Sequence, residues 1–130
     1  MAIQNALTVD VEDYFHVSAF AKSIDQNDWD KHPLRVENNT HRLLNLFDEY
    51  EVKATFFVLG WVAERTHDLV REIANRGHEV ACHGFSHQLV YNQSPAVFRE
   101  ETLRSKHLLE DIIQMPVLGY RAASYSITSN

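Results

Sequence analysis

TVDVEDYF, residues 8 to 15, runs a β-type apolar stretch straight into three carboxylates within four residues. Asn5 to Val11 reads as a buried strand, because Val9 and Val11 alternate with smaller or polar neighbours and Leu7 precedes them. A strand of an α/β protein delivers its chemistry where the chain leaves the sheet at its carboxyl end. Asp10, Glu12 and Asp13 leave there together. Like charges so grouped repel unless a cation, a shared proton or open water relieves them. Taken alone the cluster is more simply a solvated acidic loop, so its meaning depends on what else reaches that edge.

The following sequence alternates helix and strand. A long polar segment, Lys22 to Asn39, carries Asp25, Asp28, Trp29 and Pro33; a connection of that length is usually functional or mobile. Leu43, Leu44, Phe47 and Tyr50 then predict a helix of about three turns after Asn38 to Thr40. ATFFVL, residues 54 to 59, predicts a second buried strand ended by Gly60. Thr66 is placed to cap a helix facing inward through Leu69, Val70 and Ile73, with Gly77 just past its end. Glu79 to Cys82 predicts a third strand. Ser94-Pro95 predicts the start of a long helix with Phe98, Thr102, Ser105, Leu109 and Ile112 on one face, stopped by Pro116. Val117 to Tyr120 predicts a fourth strand. Strands separated by helices indicate crossovers in a mainly parallel sheet, open or part of a barrel. No final helix follows the fourth strand, so the expected architecture is part of a larger one.

Two further clusters fall on the same edge. HGFSH, residues 83 to 87, follows the third strand and spaces two histidines four apart. In a helical turn their rings would share a face, although Gly84 argues against a regular turn. Two imidazoles and a carboxylate from two strand ends make a three-ligand site with room for water, the arrangement of catalytic zinc sites. GYRAASYS, residues 119 to 126, places Arg121 after the fourth strand, where it can pair with a carboxylate and orient it. The turn near Tyr125 can offer backbone N–H groups. The plainer alternatives are two solvated loop histidines and a surface ion pair.

Composition sets the limits. The chain has 130 residues, 45% hydrophobic and 23% charged, which suits one globular domain. A net charge of −6 and a pI near 5.7, with no basic patch, argue against nucleic acid or an anionic membrane surface as the main partner. Cys82 is the single cysteine, so no internal disulfide forms. The start MAIQNALTVDVED lacks a secretory signal pattern and no apolar run is long enough for stable membrane insertion, so a cytoplasmic location is expected.

The three motifs, in this order and spacing, resemble those of the polysaccharide deacetylases, the NodB-homology or carbohydrate esterase family 4 enzymes. The segment DVEDYFHVSAF, residues 10 to 20, is most similar to the branch associated with exopolysaccharide gene clusters. The resemblance implies a distorted (β/α) barrel, here its first half with about four parallel strands, and residues 1–130 as a partial domain lacking the C-terminal motifs. It implies removal of N-acetyl groups from amino sugars with a divalent metal, commonly Zn2+, and an N-acetylated carbohydrate as substrate. Asp10 then matches the catalytic base, His83 and His87 the metal-binding histidines, and Arg121 the residue that orients the base. Either Glu12 or Asp13 supplies the metal-binding carboxylate; strand parity favours Glu12, two residues beyond Asp10. Ala123 stands where a proline is usual.

The implied chemistry is metal-assisted amide hydrolysis, with Asp10 taking the proton of the attacking water. A backbone N–H near Tyr125 is expected to meet the substrate, and Trp29 either to stack on a sugar ring or to pack on the domain. The histidine acid of the family's later motif is missing, and His16 is the nearest substitute. The 130 residues are therefore expected to bind metal weakly and to turn over poorly alone, with a missing C-terminal half or an oligomer completing the site. A silent metal- or carbohydrate-binding domain, or a same-fold hydrolase of a cyclic amide, are the alternatives.

Overall fold

The computed structural model describes residues 3–129, so sequence readings that touch Met1, Ala2 and Asn130 lie outside the described residues. Three parallel strands form the sheet: β1 (Thr8–Val11), β2 (Thr55–Val58) and β3 (Glu79–Cys82), in the order β1-β2-β3. The register aligns Thr8 with Thr55 and Glu79, and Asp10 with Phe57 and Ala81. Side chains alternate across a pleated sheet. Val11, Phe56, Val58, Val80 and Cys82 therefore enter the apolar core, whereas Thr8, Asp10, Thr55, Phe57 and Glu79 share the opposite, largely polar face.

Helices cover the apolar face. They are α1 (Val36–Glu49), the single turn α2 (Gly60–Ala63), α3 (His67–Asn75) and α4 (Pro95–Ile113). Leu44 and Phe47 of α1, Leu69, Val70 and Ile73 of α3, and Leu109 and Ile112 of α4 close over the strands. Each such aliphatic side chain, fully buried, contributes about 1.5–3 kcal/mol. α4 starts as its sequence demands: Ser94 Oγ accepts from the Val97 N–H at 3.3 Å and Pro95 takes the first helical position. Gly77 follows α3 with φ +81°, the left-handed conformation expected of it.

The structure corrects four expectations. β1 begins at Thr8 rather than Asn5, because β2 starts at Thr55 and offers residues 5 and 6 nothing to pair with. The fourth strand is reduced to one parallel bridge between Cys82 and Tyr120, made by Cys82 N–H to Gly119 O and Arg121 N–H to Cys82 O; Leu118 points into solvent. Thr66 does not cap α3, since its hydroxyl donates to Val62 O in the preceding turn at 2.9 Å. α1 starts at Val36, a turn earlier than its apolar spacing predicts, because a carboxylate from elsewhere caps it.

That carboxylate is Asp13. Its Oδ2 accepts from the N–H groups of Arg35 at 2.6 Å and Val36 at 2.9 Å, and its Oδ1 accepts from Tyr14 N–H at 2.9 Å. A buried negative charge at a helix N-terminus is favoured by both hydrogen bonding and the helix dipole. The connection from β1 to α1 is thereby drawn tight over the protein. It folds into 3-10 turns at Tyr14–His16, Ser18–Phe20 and Gln26–Lys31 instead of remaining an open loop.

Candidate metal centre

The strand ends bring four chemistry-bearing side chains together. Glu12 leaves β1, and His83 and His87 leave β3, so that one donor atom from each lies within 4.8 Å of the others. Glu12 Oε2 is 2.7 Å from His87 Nε2 and 3.5 Å from His83 Nε2. Buried though it is, Oε2 makes no hydrogen bond of proper alignment. Three donors aimed at a common point, with an orphaned carboxylate oxygen among them, are what a divalent cation requires. Asp10 stands beside them, its Oδ2 3.9 Å from His83 Nε2.

The histidine loop is irregular. Gly84 has φ +75° and His87 φ +54°, so the two rings meet, centroids 5.4 Å apart, through two left-handed residues and not through a helical turn. A left-handed non-glycine residue must be held by its surroundings. Here α2 holds one end of the loop: Gly60 N–H donates to Gly84 O at 2.8 Å and Trp61 N–H to Phe85 O at 3.1 Å. Gly60 is required, because a Cβ there would sit 2.3 Å from Ser105 Oγ. Glu101 of α4 holds the other end, accepting from Ser86 Oγ at 2.6 Å and from Gln93 Nε2 at 3.0 Å. Sequence reading missed both anchors; neither Gly60 nor Glu101 carries a local signal that joins it to a loop so distant along the chain.

Hydrogen bonding fixes one imidazole. His83 Nδ1 lies 2.8 Å from Arg121 O; a carbonyl only accepts, so Nδ1 carries a proton, and in the neutral form of the ring it is a bare Nε2 that faces Glu12 and Asp10. Burial would by itself raise the Glu12 carboxyl, but the two imidazoles outweigh it and hold the group at about 2. For His83, burial lowers the pKa, and the Glu12 carboxylate, the Arg121 carbonyl and Asp10 together reverse this and raise it.

Arg121 crosses the polar face of the sheet to reach Asp10. Its Nη1 is 2.6 Å from Asp10 Oδ1, its Nη2 2.9 Å from Thr8 Oγ1, and its guanidinium lies 4.0 Å over the Phe57 ring. The cleft above has a volume of about 810 Å³ and is lined by Asp10, Glu12, His83, His87, Arg121 and Tyr125, among others. Tyr125 stands at its rim, nearly fully exposed, after Ser124; both have positive φ.

Three sequence-based candidates lie elsewhere. Asp13 is not placed as a ligand, because all its lone pairs in use face the N–H groups of Tyr14, Arg35 and Val36. Trp29 is no open platform: only 5% exposed, it packs its ring 5.5 Å from that of Trp61 and 4.5 Å from that of His16. His16 does not line the cleft; its Nδ1 accepts from Asp13 N–H at 2.7 Å, and burial pushes its pKa down to about 4 despite nearby Glu12 and Asp13.

Comparison with known proteins now places the chain. The family model "Polysaccharide deacetylase" matches residues 26–130. The chain belongs to that family. It is 30% identical over 79 residues to a peptidoglycan-N-acetylglucosamine deacetylase of Bacillus cereus, an alignment covering 61% of this chain and 37% of that protein. It is 44% identical over 62 residues to a chitooligosaccharide deacetylase of Rhizobium leguminosarum bv. trifolii, covering 47% and 29% respectively. The chain thus spans well under half the length of these curated relatives.

Among solved structures, the peptidoglycan deacetylase PdaC of Bacillus subtilis superposes with a TM-score of 0.71 at 22% identity, covering 95% of this chain and 50% of that one. A family 4 pseudoenzyme of Bacillus anthracis superposes as well, with a TM-score of 0.73 at 18% identity, covering 95% and 36%. The shared fold is therefore that of the polysaccharide deacetylases, with three parallel strands of a partial barrel. Because an inactive relative has it too, activity must be argued from the site.

Proposed function

We propose that this polysaccharide deacetylase domain hydrolyses the N-acetyl groups of an amino-sugar polymer or oligosaccharide, with Zn2+ held by Glu12, His83 and His87. The observation that carries the reading is the juxtaposition of that three-donor cluster with an Arg-held carboxylate, Asp10, in one open cleft. The donor set fits the ion: two imidazole nitrogens and one carboxylate oxygen, as in catalytic zinc sites with positions left for water and substrate. When bound, the ion supplies Lewis acidity and lowers the pKa of water towards about 7.

The protein's own groups do the rest. Asp10 is the base. Its Oδ1 is engaged by Arg121, so Oδ2, the oxygen nearer His83, is the atom that receives the proton of the attacking water. Arg121 keeps the carboxylate oriented, and Thr8 and the Phe57 face keep Arg121 itself in place. His83 is held in one tautomer by the carbonyl of Arg121, which couples the orienting residue to the ligand. In this reading, backbone N–H groups of the 123–125 turn at the cleft rim meet the acetamide oxygen. Among the described residues lining the cleft, the histidines are His83 and His87.

The test is acetate release from tetra-N-acetylchitotetraose by the full-length product of this reading frame, with zinc and with a chelator. Zinc-dependent release that falls by about 10³-fold or more in Asp10→Asn supports the reading. Release that persists in Asp10→Asn removes Asp10 as the base, and no zinc-dependent release at all leaves a silent binding domain.

A further inference from the structure

The turn at the rim of the cleft has a backbone that its own residues do not favour. Ser124 (φ +48°, ψ +41°) and Tyr125 (φ +55°) are consecutive left-handed residues, and neither is glycine. A Cβ disfavours that conformation, so the surroundings must impose it. The same angles set a direction. The peptide unit joining 124 to 125 is planar, so ψ of Ser124 and φ of Tyr125 together decide where the Tyr125 N–H points. Whatever holds the two angles aims that donor.

The base and the outer limb of the turn are held by different groups. At the base, Ala122 and Ala123 are buried and Ser126 is 1% exposed. Ser126 Oγ donates to Ala123 O at 2.6 Å and accepts from Val90 N–H at 2.9 Å, while Ser126 N–H donates to Ala123 O at 3.1 Å. Those bonds secure the fold of the turn and leave Ser124 and Tyr125 exposed. Among the described residues, the side-chain hydrogen bond that reaches this limb comes from far along the chain: Ser18 Oγ lies 2.8 Å from Ser124 Oγ. Ser18 belongs to the connection between β1 and α1, whose Val17 lines the same cleft as Ser124 and Tyr125. That connection is itself fixed, by the Asp13 cap and by Ala21 N–H donating to Ser18 O at 3.2 Å. Ser18 also precedes the residues that the family model matches, so this tether comes from outside that match.

We propose that Ser18 is a positioning residue for hydrolysis: its hydroxyl, acting through Ser124, keeps the 124–125 peptide turned so that the Tyr125 N–H faces the acetamide oxygen. The proposal rests on the deacetylase reading above. An exposed hydroxyl pair contributes little to folding, whereas a misaimed donor is felt where charge develops in the transition state. The effect of Ser18 therefore falls on turnover and not on stability or metal binding.

The experiment measures kcat and KM for tetra-N-acetylchitotetraose with the zinc-loaded, full-length product of this reading frame. Ser18→Ala is expected to lower kcat by about tenfold, with KM changed by less than about twofold and zinc affinity unchanged. Ser18→Thr keeps the hydroxyl and should recover most of the loss. Ser124→Ala should match Ser18→Ala, and the double variant should be no worse than either, because all three cut the same bond. A second readout does not need turnover: the Ser126 amide, whose N–H closes the turn, should exchange with solvent about tenfold faster in Ser18→Ala. Wild-type kcat in Ser18→Ala, a threonine variant as poor as alanine, losses that multiply in the double variant, or unchanged exchange at Ser126 overturns the proposal and leaves the deacetylase reading standing. Absence of zinc-dependent release from the wild type sinks both.

Discussion

Arg121 ties the last bridged segment of the sheet to its first strand: Nη1 meets Asp10 Oδ1 at 2.6 Å across 111 positions of sequence, while the carbonyl of the same residue accepts from His83. One residue therefore holds the proposed base through its side chain and one of the proposed metal-binding imidazoles through its backbone. The two functions can be separated by mutation.

Arg121→Gln removes the charged fork but keeps the carbonyl. Deacetylation is expected to fall by about 10²-fold in kcat, with the zinc dissociation constant changed by less than about threefold. The pair is part-exposed, so stability should change by less than about 1 kcal/mol. Steady-state kinetics beside a zinc titration check this; parallel loss of both would show that Arg121 supports the ligands and not the base.

Asp13→Ala separates a cap from a ligand. Three backbone N–H groups lose a charged acceptor in a buried place, and unfolding free energy in denaturant is expected to drop by about 2–3 kcal/mol. Zinc stoichiometry should be unaffected. A variant that keeps its stability and loses zinc would return Asp13 to the metal site.

Much of this layout was legible in the chain. The alternation of helices and strands, the Ser94-Pro95 helix start, Gly77, and the meeting of Asp10, Glu12, His83, His87 and Arg121 at one sheet edge all follow from local pattern, because strand ends of a parallel sheet share an edge. What failed to show was non-local. Asp13 reads as one more acidic residue until Arg35, 22 positions away, folds onto it. Trp29 reads as an open-loop aromatic until Trp61 and His16 bury it. Val117 to Tyr120 has strand composition, but only Tyr120 obtains a partner, and composition does not count partners.

His16 gives the metal-free protein an acid-sensitive step. Its pKa falls from an ordinary 6.5 to about 4 on folding, chiefly through burial. Between those values the unfolded chain binds the proton and the folded one resists it, so stability present above pH 6.5 is lost as pH drops towards 4. The loss amounts to about 3 kcal/mol. Urea midpoints from pH 7 to 4.5 in the presence of chelator should show it, and His16→Asn, which retains an acceptor for Asp13 N–H, should flatten the slope. An unchanged slope would place the sensitivity elsewhere.

Glu101 holds the loop that carries His87 through Ser86 and Gln93. Glu101→Ala frees Ser86 and Gln93, relaxes the left-handed turn, and is expected to weaken zinc binding by about tenfold. Glu101→Gln keeps one acceptor and should recover part of the loss. If alanine and glutamine weaken zinc equally, the carboxylate acts through its charge and not by holding the loop.

The central claim is that Glu12, His83 and His87 converge on one cation. Zinc titration of the wild type against Glu12→Gln, His87→Ala and Asp13→Asn tests it most directly. One zinc per chain in the wild type, affinity lower by about 100-fold in the first two variants and unchanged in Asp13→Asn, is the predicted result. Wild-type affinity in Glu12→Gln and His87→Ala would contradict it.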